Sequence, residues 1–330
     1  MINEKAQKQI DYIAERCKEI RPFVVIRSIT YNHEPYLKDA LEGFVMQKTI
    51  FPFVAIVHED ASTDGNAEVL REYAEKFPDI IFPIYEEENQ YSKQDGSITR
   101  IMNEACFATG AKYASVCEGD DYWTDPYKLQ KQVDFLESHP DYAMCFTNAL
   151  EKWENKKGSE YVMNMGKKNR DYTALEIYNG FRIPTATVIF NINVIKNSVY
   201  NNLQKIKKPA FGDLQLFMSC ALAGKVRYLH EITSCYRRLE SGAAYQFEKK
   251  QWNHIRTRIE VSKILGPQFM DQERELTKKY FLPTFKKSFE YFPNNIILLG
   301  RIFWFNPLGS IKELKWIVKS FKNKIQKIEK

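Results

Sequence analysis

Ile10, Ile13, Ala14 and Cys17 recur at helical spacing, so residues 3–20 predict a short amphipathic helix that Pro22 ends. The run Phe23–Ile29 is then almost unbroken in apolar and β-branched residues, the pattern of a buried strand. Helical spacing returns over 36–46, and 53–58 reads as a second apolar strand. A helix at 67–76, a strand at 80–85, a helix at 96–109 and a strand at 113–117 follow. Pro126 opens another helix, with Leu129, Val133 and Leu136 on one face. Strand and helix thus alternate through the first 140 residues, which predicts an α/β domain with a mostly parallel sheet flanked by helices. Ligands of such sheets sit beyond the carboxyl ends of the strands.

Beyond residue 140 the pattern weakens. Residues 143–147 and 185–192 read as strands, 152–168 as a loop or hairpin and 213–223 as a helix. Residues 226–229 and 233–237 read as two strands. From Lys249 the chain is helical, punctuated by Pro267, Pro283 and Pro293. Near the end, Ile311, Leu314, Ile317, Val318, Phe321, Ile325 and Ile328 recur every three or four positions with lysines between them.

Charge sharpens that last feature. The chain of 330 residues carries 48 Lys+Arg and 42 Asp+Glu, a net +6. All of that excess falls after residue 295, so the body is neutral and only the tail is basic. A neutral body argues against a nucleic-acid binder. A basic amphipathic helix at 310–330 fits either an anionic membrane surface or docking on the domain. The six cysteines form no C-x-x-C pair and stand beside no histidine cluster, so they read as reduced thiols. The charged N-terminus lacks the apolar core of a signal peptide, and the apolar run 296–305 is too short to span a bilayer. A cytoplasmic protein, peripheral on the inner face of the membrane if the tail binds there, is the expectation.

Two acidic clusters fall at strand ends. In Val116–Trp123, Glu118, Asp120 and Asp121 crowd three carboxylates into four positions, which repel unless a cation compensates. Mg²⁺ or Mn²⁺ takes such oxygens together with substrate phosphates. Glu59–Gly65 offers Asp60 for a base or ribose, while Ser62, Thr63 and Asp64 suit a turn capping the next helix.

Taken in order, Ile29-Thr30-Tyr31-Asn32-His33-Glu34, Val57–Gly65 and Cys117–Trp123 resemble the inverting family 2 glycosyltransferases of GT-A fold, of the bacterial surface-polysaccharide type. The resemblance covers about residues 21–245. It implies an N-terminal helix (1–20), a GT-A domain (21–125 nucleotide-binding, 126–245 acceptor-binding) and a helical extension (246–330). It further implies a nucleotide-sugar donor, most often UDP-linked, and a glycan or lipid-linked acceptor. Donor contacts fall on Thr30, Tyr31, Asn32, Glu34, Asp60 and Asp120. By the same resemblance Asp121 is the favoured metal ligand, with Asp120 and Glu118 beside it, and Asp213, opening a helix after Phe211-Gly212, is the candidate general base. Arg237 and Arg238 are candidates for the diphosphate, because Leu239 stands where many relatives have a metal-side histidine. Arg100 is either a phosphate contact or an ordinary surface charge. Trp123 either stacks on an acceptor sugar or packs in the core, and Thr185 lies in a segment loosely like the family's acceptor side. Ala61 replaces the usual glycine, stiffening its loop.

Two other classes share some of these features. A sugar-1-phosphate nucleotidyltransferase needs a glycine-rich phosphate loop, and residues 27–38 contain no glycine. A non-catalytic relative would lack Asp121 or Asp213, and both are present.

Overall fold

The computed structural model describes residues 2–154, 160–163, 166–180, 183–239 and 247–277. The chain divides into two compact units, 1–208 with 212–246, and 209–211 with 247–330.

In the first unit α1 (Glu4–Ile20) leads into β1 (Val24–Thr30), α2 (Glu34–Val45), β2 (Phe53–Glu59), α3 (Asn66–Lys76) and β3 (Ile81–Tyr85). A short α4 (Gln90–Lys93) and α5 (Ser97–Ala108) precede β4 (Tyr113–Val116), β5 (Tyr122–Trp123), α6 (Lys128–Ser138) and β6 (Tyr142–Trp153). Then come β7 (Glu160–Val162), β8 (Arg170–Tyr172), α7 (Ala174–Gly180), β9 (Val188–Asn191), α8 (Ser198–Leu203), α9 (Asp213–Ala223) and β10 (Lys225–Arg238). The sheet runs β3-β2-β1-β4-β9-β6-β10-β5, with β7 on β6 and β8 on β10. The first four strands are mutually parallel, β9 is antiparallel to both its neighbours, and β6 and β10 are parallel.

Every residue of β2 is buried, as a strand covered on both faces requires. Leu37, Leu41 and Phe44 of α2 share one core cluster with Val24, Ile26 and Val57. Gly43 lets α2 lie against β5, since a Cβ there would meet the Trp123 backbone nitrogen at 2.9 Å. The edge strand β3 tolerates Pro83, and at Tyr85 its open edge is met by α1. Gln9 of that helix accepts from Tyr85 N at 2.8 Å and donates to Tyr85 O at 3.2 Å, as a neighbouring strand would.

Two expectations change. Residues 185–192 open with a 3₁₀ turn, Thr185–Thr187, before β9 begins. The two strands expected at 226–237 are one long strand with register shifts between Tyr228 and Ser234, and the exposed His230 and Glu231 mark the break.

The second unit contains α10 (Phe247–Leu265) and α11 (Pro267–Leu276), where Arg258 Nε meets the buried Glu273 at 3.0 Å. The basic segment 310–330 and residues Phe181 and Arg182 lie outside the described residues. Among the described residues no helix is long and apolar enough to cross a membrane. All six cysteines are buried and unpaired.

Candidate active site

The loops after β1 and β2 are laced together at the carboxyl edge of the sheet. Asn32 N donates to Ser62 Oγ (3.0 Å), and Asn32 Oδ1 accepts from Thr63 N (2.8 Å). Glu34 N donates to Asp64 Oδ2 (3.1 Å), and Glu34 Oε2 accepts from Gly65 N (3.0 Å). Thr30 is buried, its hydroxyl given to Asn66 Oδ1 at 2.8 Å. Of the expected base-contacting set, Tyr31 presents an exposed ring, whereas the Asn32 and Glu34 side chains serve as braces. Asp60 is fully buried and caps α4, accepting from Gln90 N (2.6 Å) and Tyr91 N (3.0 Å). Burial raises its pKa despite those two donors.

The acidic loop lies beside the end of β1. Gly119 permits this, because a Cβ there would sit 2.6 Å from Thr30 Oγ1. Glu118 accepts from Ile29 N at 2.9 Å. Burial, then the charge of Asp120, pushes it up to about 7, with Arg27 opposing and Asp213 adding to the rise. Asp121 is buried, turned inward to Arg237 N (2.8 Å), and raised well above the carboxylate range by burial and by Asp120. Asp120 is left partly exposed, with His33 Nε2 at 4.0 Å from its Oδ2.

Asp213 opens α9, where the helix dipole favours an anion. Thr185 Oγ1 lies 3.4 Å from Asp213 Oδ2, and burial raises the carboxyl above its ordinary range. Tyr236 of β10 lies within reach of the charge of this group. Burial lifts its phenol to about 12, and the charges of Asp121, Asp120 and Asp213 all contribute to the rise. Asp213 is thus near enough to the acidic loop for its charge to act on Glu118, although nearly a hundred positions separate them in the chain.

Trp123 and Arg100 take the second of the alternatives open to each, and Arg237 and Arg238 are paired with protein carboxylates. Trp123 packs in the core, edge-on to Phe44 with ring centroids 5.2 Å apart, and its indole N–H bonds Ala186 O at 2.8 Å. It has no face free for an acceptor sugar. Arg237 is buried among protein partners, pairing with Asp39 and with Glu154 (2.8 Å) and donating to Asp120 O (3.0 Å). It steadies the acidic loop from behind. Arg238 pairs with Glu151 at 2.8 Å. Arg100 is exposed and bonds the Asp95 carbonyl at 2.8 Å, the surface-charge alternative.

Among the described residues no three His, Cys, Asp or Glu side chains converge as a metal-ligand set. The donor set still fits a hard divalent ion completed by phosphate oxygens, for which one or two carboxylates suffice. Asp120 is the partly exposed one, and burial first, then the charge of Asp120, inclines Glu118 to keep its proton, a tendency a bound cation would oppose. Sequence reasoning missed His33 and Tyr236 as site neighbours. His33 stood inside the quoted Thr30–Glu34 run, and Tyr236 immediately before the two arginines.

Residues 26–194 match the family described as Glycosyl transferase family 2. An uncharacterized protein of Mycobacterium tuberculosis is 33% identical over 231 residues, 69% of this chain. That match spans 63% of the mycobacterial protein's length. The putative teichuronic acid biosynthesis glycosyltransferase TuaG of Bacillus subtilis is 29% identical over 116 residues, 35% of this chain and 42% of TuaG. Among solved structures, S. aureus TarS 1–349 in complex with UDP-GlcNAc superposes with a TM-score of 0.53 at 16% identity, over 75% of this chain and 83% of that one.

Proposed function

The chain belongs to glycosyl transferase family 2, and on that premise we propose that it is an inverting glycosyltransferase taking a UDP-linked sugar to a hydroxyl of a glycan or lipid-linked acceptor. The observation that carries the reading is a buried carboxylate, Asp213 at the start of α9, near enough to the Glu118–Asp121 loop for its charge to raise Glu118. Tyr31 receives the nucleotide base at the edge of β1 and β2, with the buried Asp60 fixing the neighbouring backbone at Gln90 and Tyr91. Asp213 takes the proton of the acceptor hydroxyl as its oxygen bonds the anomeric carbon. The bond from that carbon to the diphosphate oxygen breaks on the opposite face, its electron pair staying with the diphosphate, so one displacement inverts the centre. Asp120, with Glu118 or Asp121, would hold Mg²⁺ or Mn²⁺, which when bound offsets charge on the leaving group. Thr185 orients the Asp213 carboxyl.

A UDP-sugar panel with Mn²⁺ or Mg²⁺ tests this. Asp213→Asn should bind UDP as the wild type does and lose transfer by roughly 10²- to 10⁴-fold, the usual worth of a positioned base. The acid limb of the wild-type kcat profile should lie above the ordinary aspartate range, following the raised Asp213 pKa. Wild-type transfer by Asp213→Asn would remove the base assignment.

A further inference from the structure

Lys128, the first residue of α6, is a fully buried lysine. Its amine lies 2.7 Å from Gln132 Oε1, 3.3 Å from Ser115 Oγ and 4.3 Å from the centre of the Trp123 ring. Each of those three side chains has a second partner, and the partners are consecutive. Trp123 Nε1 donates to Ala186 O at 2.8 Å, Gln132 Nε2 to Thr187 O at 2.9 Å and Ser115 Oγ to Val188 O at 2.7 Å. The residue just before this triplet is Thr185, whose hydroxyl meets Asp213.

The amine sets the direction of the Gln132 and Ser115 bonds and packs on the ring face of Trp123. A donor facing the Gln132 carbonyl oxygen leaves the amide NH₂ for Thr187. A donor to the Ser115 oxygen turns the hydroxyl hydrogen toward Val188. A cation against the Trp123 face leaves the indole edge for Ala186. Burying an amine is unfavourable unless it is satisfied, so its retention here calls for a task. Burial pulls Lys128 down to about 7, with Cys117, Cys145 and Asp125 opposing.

We propose that Lys128 is a positioning residue that orients Trp123, Gln132 and Ser115 so that they clamp the carbonyls of 186–188 and present Thr185 to Asp213. The proposal rests on the reading of Asp213 as base.

The test compares full-length wild type, Lys128→Met and Asp213→Asn. Three quantities are read: turnover of the best donor in the UDP-sugar panel, UDP affinity by calorimetry, and hydrogen exchange of peptides covering 183–191. Lys128→Met should lower kcat roughly tenfold to a hundredfold, as small misplacements near a reacting group do. It should leave UDP affinity within about twofold and speed exchange across 183–191. Wild-type exchange and kcat in a folded Lys128→Met protein would overturn the proposal. So would parallel losses of kcat and UDP affinity, which signal general loosening. Should Lys128→Met fail to fold, Gln132→Met removes one of the three clamps and is judged by the same outcomes. If Asp213→Asn transfers normally, the base reading falls, and the exchange of 183–191 alone decides the role of Lys128.

Discussion

Ala61 has a φ of 60°, in the left-handed region where a Cβ costs about 1–2 kcal/mol. The hydrogen bonds around it hold it there: Asp60 N to Thr30 O at 3.0 Å on one side and Ser62 N to Glu59 at 2.8 Å on the other. Ala61→Gly should therefore stabilise the protein by up to about 1 kcal/mol, after the greater freedom of glycine in the unfolded chain is subtracted. Urea unfolding measures it, and a loss of stability would show that the strain is not real. At this scale the sequence was partly legible. Residue types at strand ends picked out loops that the fold places side by side at the carboxyl edge of the sheet, because carboxylates crowd there for few structural reasons. What each side chain faces was not legible. Asn32 and Glu34 look like ligand contacts in sequence but brace a neighbouring loop, and Trp123 turns inward because Gly43 and Ala186 O leave a slot for it.

Elements with several turns or a full apolar run were readable from spacing alone, and α9 begins and ends where the pattern places it. The two-residue β5 and the short α7 and α8 were not, because they are shorter than the periodicity that would reveal them. The bend in β10 hid a single strand behind two exposed residues. Helix α6 offers a prediction of its own. Lys128 falls from 10.5 to about 7 on folding, so between those values the unfolded chain holds a proton that the folded one has lost. Stability should rise with pH across that window and carry the full penalty below it. The difference between wild-type and Lys128→Met unfolding free energies, measured from pH 6 to pH 10, should isolate the effect. A difference independent of pH would place the Lys128 pKa near its ordinary value.

At the scale of the whole molecule, the order and spacing of three motifs gave the family, which the match over residues 26–194 bears out. The net charge of +6 falls after residue 295 in the sequence, while the acidic motifs of the proposed chemistry all precede residue 214. We propose that 310–330 anchors the enzyme to anionic lipid, beside a lipid-linked acceptor. Deleting those residues should abolish sedimentation with phosphatidylglycerol vesicles, and undiminished binding would sink the idea. The opposite end of the chain has a separate consequence. The Gln9 amide occupies the β3 edge at Tyr85, where a strand from a second molecule would otherwise find a free donor and acceptor. Helix α1 is thus a guard against self-templating. A chain lacking residues 1–20 should scatter light increasingly with concentration, and scattering unchanged from that of the full chain would show that this edge needs no cover.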